Sequence, residues 1–301
     1  MSKKKKGMDI NGWVIVDKPR DMGSTDVVTK LKRMFSANKV GHGGTLDPFA
    51  TGLLPIAFGE ATKLINMVMD GRKEYEFVLQ FGASSTTDDS EGELMICDAR
   101  HVSEDDIFGI IHEFVGEIMQ VPPVYSAIKI DGKRAYDLAR QGVEVEMKPR
   151  EVEIFGLELL EMLDGNQAKF RVECSKGTYV RTLGKDIALR LGTLGYLKEL
   201  RRTKNGVFGL GDAKMLEVME NMVYRGTQAS EVLLPVSACL RDIAVIAVTE
   251  DDAAKLKQGQ SVSPKKYSNV FGEAVVMFEE KLVAIVRIDE RKIAPVRVFN
   301  I

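Results

Sequence analysis

The run GHGGTLDPFATGLLP, from Gly41 to Pro55, constrains this chain more than any other stretch. Gly43 and Gly44 lack a Cβ and can take positive φ, Pro48 fixes its own φ and restricts Asp47 toward extended geometry, and Gly52 releases the chain into an apolar run. The pattern predicts a tight, backbone-exposing loop built around one carboxylate. Turn chemistry alone makes an Asp-Pro in a Gly-rich loop an ordinary turn more often than a reactive centre, so the rest of the chain decides between the two.

Hydrophobic patterning supplies the frame. Trp13 to Pro19 (WVIVDKP) reads as a short buried strand, and Ser24 to Phe35 as a helix with Val27, Val28, Leu31 and Met34 on one face. LLPIAFG reads as a strand, EATKLINMVMD as a helix, and YEFVLQFG as a strand whose Tyr75, Phe77, Leu79 and Phe81 share a face. Ser103 and the acids after it suit a helix N-terminus. VEIFGLELLEM and KFRVECS read as strands and GTYVRTLGKDIALRLG as a helix, which sets Tyr179 and Arg181 at a strand-to-helix junction. Strands and helices without a regular βαβ repeat predict an α+β sheet platform. Val121 to Glu151, rich in Lys and Arg and carrying Pro122, Pro123 and Pro149, reads as an insertion that could close on a ligand. Beyond Arg241, strand, helix and further strands predict a small β-rich unit. The expected organisation is a basic tail over 1–8, a main domain over 9–240 with the insertion at 121–151, and a C-terminal domain over 241–301.

Composition excludes several classes. A chain of 301 residues with 45% apolar residues can bury a proper core. Cys97, Cys174 and Cys239 are odd in number and widely spaced, which points to a reducing cytoplasm rather than a disulfide framework. The basic N-terminus lacks the apolar core of a signal peptide, and no run is long enough to span a bilayer, so no membrane association is expected. His42, His101 and His112 are the only histidines, and no His or Cys cluster has metal-ligand spacing. GEATKL at Gly59 lacks the P-loop pattern. A net charge of −2 argues against a generic polyanion binder, but the charge is uneven. From Lys176 to Asn205 eight Lys or Arg stand against Asp186 and Glu199, while Ser84 to Glu117 holds ten acids against Arg100. These read either as two solvated faces or as a basic side toward RNA and an acidic far side.

GHGGTLDPFATGLLP strongly resembles the catalytic motif of the TruB-type pseudouridine synthases, whose motif Asp is the nucleophile. WVIVDKP resembles the family's early Lys-Pro strand, RKEYEF its strand Tyr, and PPVYSAIKIDGKRAYDLAR its RNA-gripping insertion. CSKGTYVRTLGKDI and LKELRRT resemble its last two motifs. The resemblance spans about Gly12 to Thr203 in order. It implies the pseudouridine synthase α+β fold with a mixed, largely antiparallel sheet. LKQGQSV in the C-terminal part resembles the entry of PUA-like RNA-binding modules.

The resemblance further implies a stand-alone enzyme that isomerises the T-loop uridine of tRNA conventionally numbered 55, with Asp47 as nucleophile and Tyr75 and Arg181 beside it. Moving a C–N glycosidic bond to C–C involves no redox change and no phosphoryl transfer, so no cofactor is required. An ionised Asp has a reference pKa of about 3.9 and needs no activation, and Arg181 would keep it charged. Tyr75 would stack on uracil and help remove the C5 proton, and Leu200 would pack on the other side. His42 would meet the RNA where the target base leaves the stack. Tyr179 would lie near the ribose or Arg181, and Lys18 would support the loop. Attack at ribose C1′, loss of uracil to a glycal and addition to the ring all remain open. The expected partner is the T-arm of tRNA, with no obligate protein partner and a monomeric chain. The rivals are a guide-RNA-dependent synthase subunit and an RNA-binding folding aid. A glycoside hydrolase would want a second carboxyl acid that the motif does not offer.

Overall fold

In the computed structural model, residues 7–96, 100–126, 128–130, 132–226, 229–267 and 270–301 are described; Cys97 and most of the basic tail lie outside them. Seven strands, β1 (Gly12–Lys18), β2 (Thr51–Phe58), β3 (Lys73–Phe81), β4 (Gly116–Gln120), β5 (Arg150–Leu163), β6 (Gln167–Cys174) and β7 (Gly195–Asn205), form the main sheet in the order β1-β2-β7-β3-β6-β5-β4. Val40–His42 pairs with β2, Phe208–Gly209 with β7 and Lys214–Met215 with β1. Neighbours run antiparallel except β2 against β7 and β1 against Lys214–Met215. The expected mixed, largely antiparallel α+β sheet is present.

Strand alternation feeds two cores on the two faces of this sheet. β1 sends Val14 and Val16 to one and Trp13 and Ile15 to the other, as the period of two requires. The first core also takes Phe77, Leu79 and Phe81, with Tyr75 at its edge, so the shared face read from YEFVLQFG is real. Phe77 and Phe170 stack there with centroids 5.1 Å apart. Helices α1 (Ser24–Met34), α2 (Ile65–Asp70), α3 (Glu104–Ile110), α4 (Ala135–Arg140) and α5 (Val180–Arg190) connect the strands. Val27 and Leu31 of α1 and Leu183 and Ile187 of α5 cover the first core. Ser103 caps α3 as read from the sequence: its hydroxyl accepts from Asp106 N and the Asp106 carboxylate accepts from Ser103 N. EATKLINMVMD differs, because it opens as a 3-10 helix over Gly59–Leu64, where Thr62 donates its hydroxyl back to Gly59 O, and becomes α only at Ile65.

A second, four-stranded sheet holds Val245–Ala247, Gly272–Phe278, Lys281–Ile288 and Ile293–Val298, with the helix Glu250–Lys257 against it. Val275, Leu282 and Ile285 of this sheet join Trp13, Leu53 and Phe208 in the second core. The Trp13 indole N–H donates to Val236 O at 3.1 Å, and Lys63 Nζ donates to Val298 O at 3.0 Å. No helix among the described residues is long and apolar enough to cross a membrane.

The charge runs do not sort into a basic near side and an acidic far side. Arg190 makes a two-pronged pair with Glu113, Lys185 pairs with Asp88 at 3.1 Å, and Arg181 lies 3.5 Å from Asp89. The acidic segment therefore folds onto the basic one. These partners lie 77 to 97 residues apart in sequence, so counting each run separately hides them.

Candidate active site

The first core ends in a polar row. Direct cross-strand pairing aligns Lys18 with Gly52, Gly52 with Arg202, Arg202 with Tyr75 and Tyr75 with Val172, one residue from each of five strands. Paired residues point to the same face, so this row continues the apolar face of the core and replaces its aliphatic side chains with two cations and a phenol. Lys73, Cys174 and Asn205 form the next row outward. Gly52 fits because it has no side chain. Its φ is +96°, and a Cβ there would lie 2.3 Å from Arg202 O.

Above this row runs the loop that carries Asp47, and nearly every peptide around it is tethered. Gly43 N donates to Pro55 O at 2.7 Å, and Asn205 Nδ2 donates to Gly43 O at 2.9 Å. Arg202 donates to Gly44 O at 3.0 Å, Thr45 O at 3.3 Å and, through Nε, Leu53 O at 2.7 Å. Ser24 Oγ accepts from Leu46 N and donates to Leu46 O. Lys18 Nζ donates to Pro48 O, Pro19 O and Met22 O at 2.7 to 3.0 Å. Gly44 takes φ +124°, as expected of the motif. Gly43 does not take positive φ; it is needed for room, since a Cβ would stand 3.1 Å from Val68.

Asp47 meets Arg181 at 2.9 Å. Arg181 enters in the first turn of α5, a position the helix dipole disfavours for a cation, and α5 has no acid in that turn. Asp47 and Asp89 supply the missing negative charge, while Thr87 O and Tyr125 O accept from the guanidinium at 3.0 and 2.8 Å. Arg181 is 3% exposed, so it is a fixed strut rather than a surface charge. Desolvation pushes the Asp47 carboxyl above its ordinary range, opposed by the Arg181 charge and hydrogen bond and reinforced by Asp89. The ion pair expected between Arg181 and Asp47 is present, and burial acts against it on the carboxyl. Lys18, fully buried, is pulled down to about 8 by desolvation.

Asp47, Tyr75, Tyr179, Arg181 and Leu200 all line one cavity of about 540 Å³, together with Arg202. Tyr179 stands at the N-terminal boundary of α5, held by Gln120, whose side chain accepts from Tyr179 N at 3.0 Å and donates to its carbonyl at 3.3 Å. Lys18 and His42 are not in that lining. Lys18 spends its donors under the loop. His42 sits on the short strand beside β2, with Nδ1 buried and unpartnered among the described residues, and desolvation with the Arg202 and Arg134 charges lowers its pKa. Residues the sequence reading passed over are Asp89, Gln120, Arg202 and Asn205. Arg202 lies in LKELRRT, but nothing local separates a buried Arg from its half-buried neighbour Arg201, which pairs with Asp17 at 2.7 Å. No metal-ligating cluster occurs among the described residues.

A fixed carboxylate, a guanidinium on it, and a phenol and an aliphatic wall around a cavity roomy enough for a flat heterocycle suit nucleophilic or addition chemistry on such a ring. Comparison with known proteins agrees. A family model described as TruB family pseudouridylate synthase (N terminal domain) matches residues 32–180, and one described as tRNA pseudouridylate synthase B C-terminal domain matches 181–241. The chain is 43% identical to the tRNA pseudouridine synthase B of Caulobacter vibrioides, over the whole of both chains. It is 45% identical to that of Bradyrhizobium diazoefficiens, over 97% of this chain and 87% of the relative. Among solved structures it resembles a chain in the crystal structure of a Cbf5-Nop10-Gar1 complex, with a TM-score of 0.74 and 25% identity over 96% of this chain and 84% of that one. A chain of an H/ACA RNP bound to a substrate RNA containing 2'-deoxyuridine gives 0.73 at 23% identity, over 96% and 85%, a likeness of fold.

Proposed function

The chain belongs to the TruB family of pseudouridylate synthases, and on that premise we propose that it isomerises the T-loop uridine 55 of tRNA to pseudouridine with Asp47 as the nucleophile. The observation that carries this reading is the 2.9 Å Asp47–Arg181 pair at a cavity lined also by Tyr75 and Leu200. The target base leaves the RNA stack and enters between the phenol and the aliphatic wall. Asp47 then breaks the N1–C1′ bond, by attack on C1′, by loss of uracil to a glycal or through addition to the ring. The detached uracil turns, C5 bonds to C1′, and the C5 proton leaves while N1 gains one. Arg181 aims the carboxylate and answers its charge, and Tyr179 lies where the ribose enters. His42, beside the motif glycines, meets the RNA at the vacated position. The C-terminal sheet, from about residue 241, serves as a PUA-like contact for the rest of the tRNA. The enzyme acts in the cytoplasm as a monomer without an obligate protein partner.

The test uses purified wild-type and Asp47→Asn protein with an unmodified tRNA transcript and maps pseudouridine at single-base resolution. The expected result is product at uridine 55 with wild type and none with the variant, which still binds RNA. Wild-type protein that binds tRNA tightly yet makes no product would redirect the reading to a guide-dependent subunit or a folding aid.

A further inference from the structure

We propose that Arg202 is a positioning residue for the reaction, acting through Tyr75 by stabilising the negative charge that the phenol oxygen carries while it moves the C5 proton to N1. This rests on the proposed role of Tyr75 as proton carrier. Arg202 and Tyr75 are directly opposed across β7 and β3, on one face, and both line the reaction cavity. Arg202 is 1% exposed, and three of its five N–H groups go to Leu53 O, Thr45 O and Gly44 O. None of the ion pairs of the described residues involves it. A buried guanidinium answered only by carbonyl dipoles is a strong local source of positive potential, and two N–H groups remain to serve it. On the adjoining strand Arg202 faces the Tyr75 phenol across their direct pair, and Lys73, Asp47, Arg181 and Lys18 are further charged groups around the row and the cavity. Burial pushes the phenol upward and Arg202 pulls it back, so Tyr75 rests neutral.

A neutral phenol fixes the order of the proton steps. Once C5 is bonded to C1′, the ring carries a C5 hydrogen and an unprotonated N1. The phenol gives its proton to N1 and becomes phenolate, with Arg202 opposite the new charge. The phenolate oxygen then takes the C5 proton; the C5–H electron pair forms C5=C6, and the C6=N1 π pair returns to N1. One proton has moved from C5 to N1, and Tyr75 ends as it began. N1 and C5 both flank C6, so a single oxygen serves both.

The experiment places 3-fluorotyrosine at position 75 and follows its fluorine resonance against pH in wild type, Arg202→Lys and Arg202→Gln, without RNA. Lysine keeps the charge but not the forked donors, and glutamine keeps donors but not the charge. The phenol midpoint should rise by about half a pH unit in the lysine variant and by about one more in the glutamine variant. Turnover of tRNA by the otherwise natural proteins should fall about tenfold further in Arg202→Gln than in Arg202→Lys, in kcat rather than KM. A folded Arg202→Gln protein with an unchanged midpoint overturns the proposal, and so does equal turnover of the two variants. Should the glutamine variant not fold, the lysine variant decides alone, an unchanged midpoint again overturning it. Wild-type protein that makes no pseudouridine refutes the proposed function instead, since the phenol titration needs no substrate.

Discussion

Lys18 is a fully buried cation whose proton is loosely held, and its replacement by methionine gives a pH signature that no contact inventory would. Burial brings its pKa from 10.5 to about 8. Below about pH 8 folded and unfolded chains both carry the proton, and the folded state bears the full cost of keeping it dry. Between about 8 and 10.5 the folded state has released the proton while the unfolded chain still binds it, so stability rises with pH across that window. The whole interval is worth about 3 kcal/mol, and about 2 kcal/mol of it is recovered by about pH 9.5. Lys18→Met abolishes this contribution and also removes the donors to Pro19 O, Met22 O and Pro48 O, a loss that is nearly constant with pH and drops out of the comparison. Urea unfolding followed by the fluorescence of Trp13, the only tryptophan and fully buried, measures both proteins at about pH 7 and 9.5. Wild-type stability should gain about 2 kcal/mol on the variant between those points, with Lys73 and the buried thiols cancelling because both proteins have them. A difference that stays flat would refute the desolvation of Lys18 and with it the account of the row it shares with Arg202.

Three further outcomes follow from the geometry. Gly52→Ala should destabilise the protein by about 3 kcal/mol or more, because φ +96° and a Cβ 2.3 Å from Arg202 O together force β2 from β7; thermal unfolding within about 1 kcal/mol of wild type would contradict this. On the proposed role of Asp47, turnover at saturating tRNA should fall with falling pH at a midpoint above the usual carboxylate range, since desolvation raises Asp47 and the proposed chemistry needs its ionised form; a limb at or below about 3.9 would contradict the burial argument. Trp13→Phe, which leaves Val236 O without its indole donor and a gap in the second core, should cost about 2 kcal/mol, read by circular dichroism during denaturant unfolding.

What was legible in the sequence was local. The Asp47 loop announces itself because Gly and Pro dictate φ within a few residues, the Ser103 cap because its partner Asp106 is three positions away, and the β3 face because alternation needs only one strand. The row that supports the loop was not legible, because it depends on register: Lys18, Gly52, Arg202 and Tyr75 become neighbours only when four strands pair as they do. The sequence likewise showed Arg181 and Asp47 as an attractive pair but not how deeply Arg181 is buried, since reference pKa values assume water. Both gaps share a cause. Sequence counts charges, whereas the fold decides which are dry, and here three dry cations, Lys18, Arg181 and Arg202, surround one carboxylate and one phenol. That arrangement is costly to fold and would be pointless for grip alone, because cations spent on buried carbonyls cannot reach a phosphate. It is intelligible if negative charge must appear on the carboxylate, the uracil and the phenol in turn while the surroundings stay still.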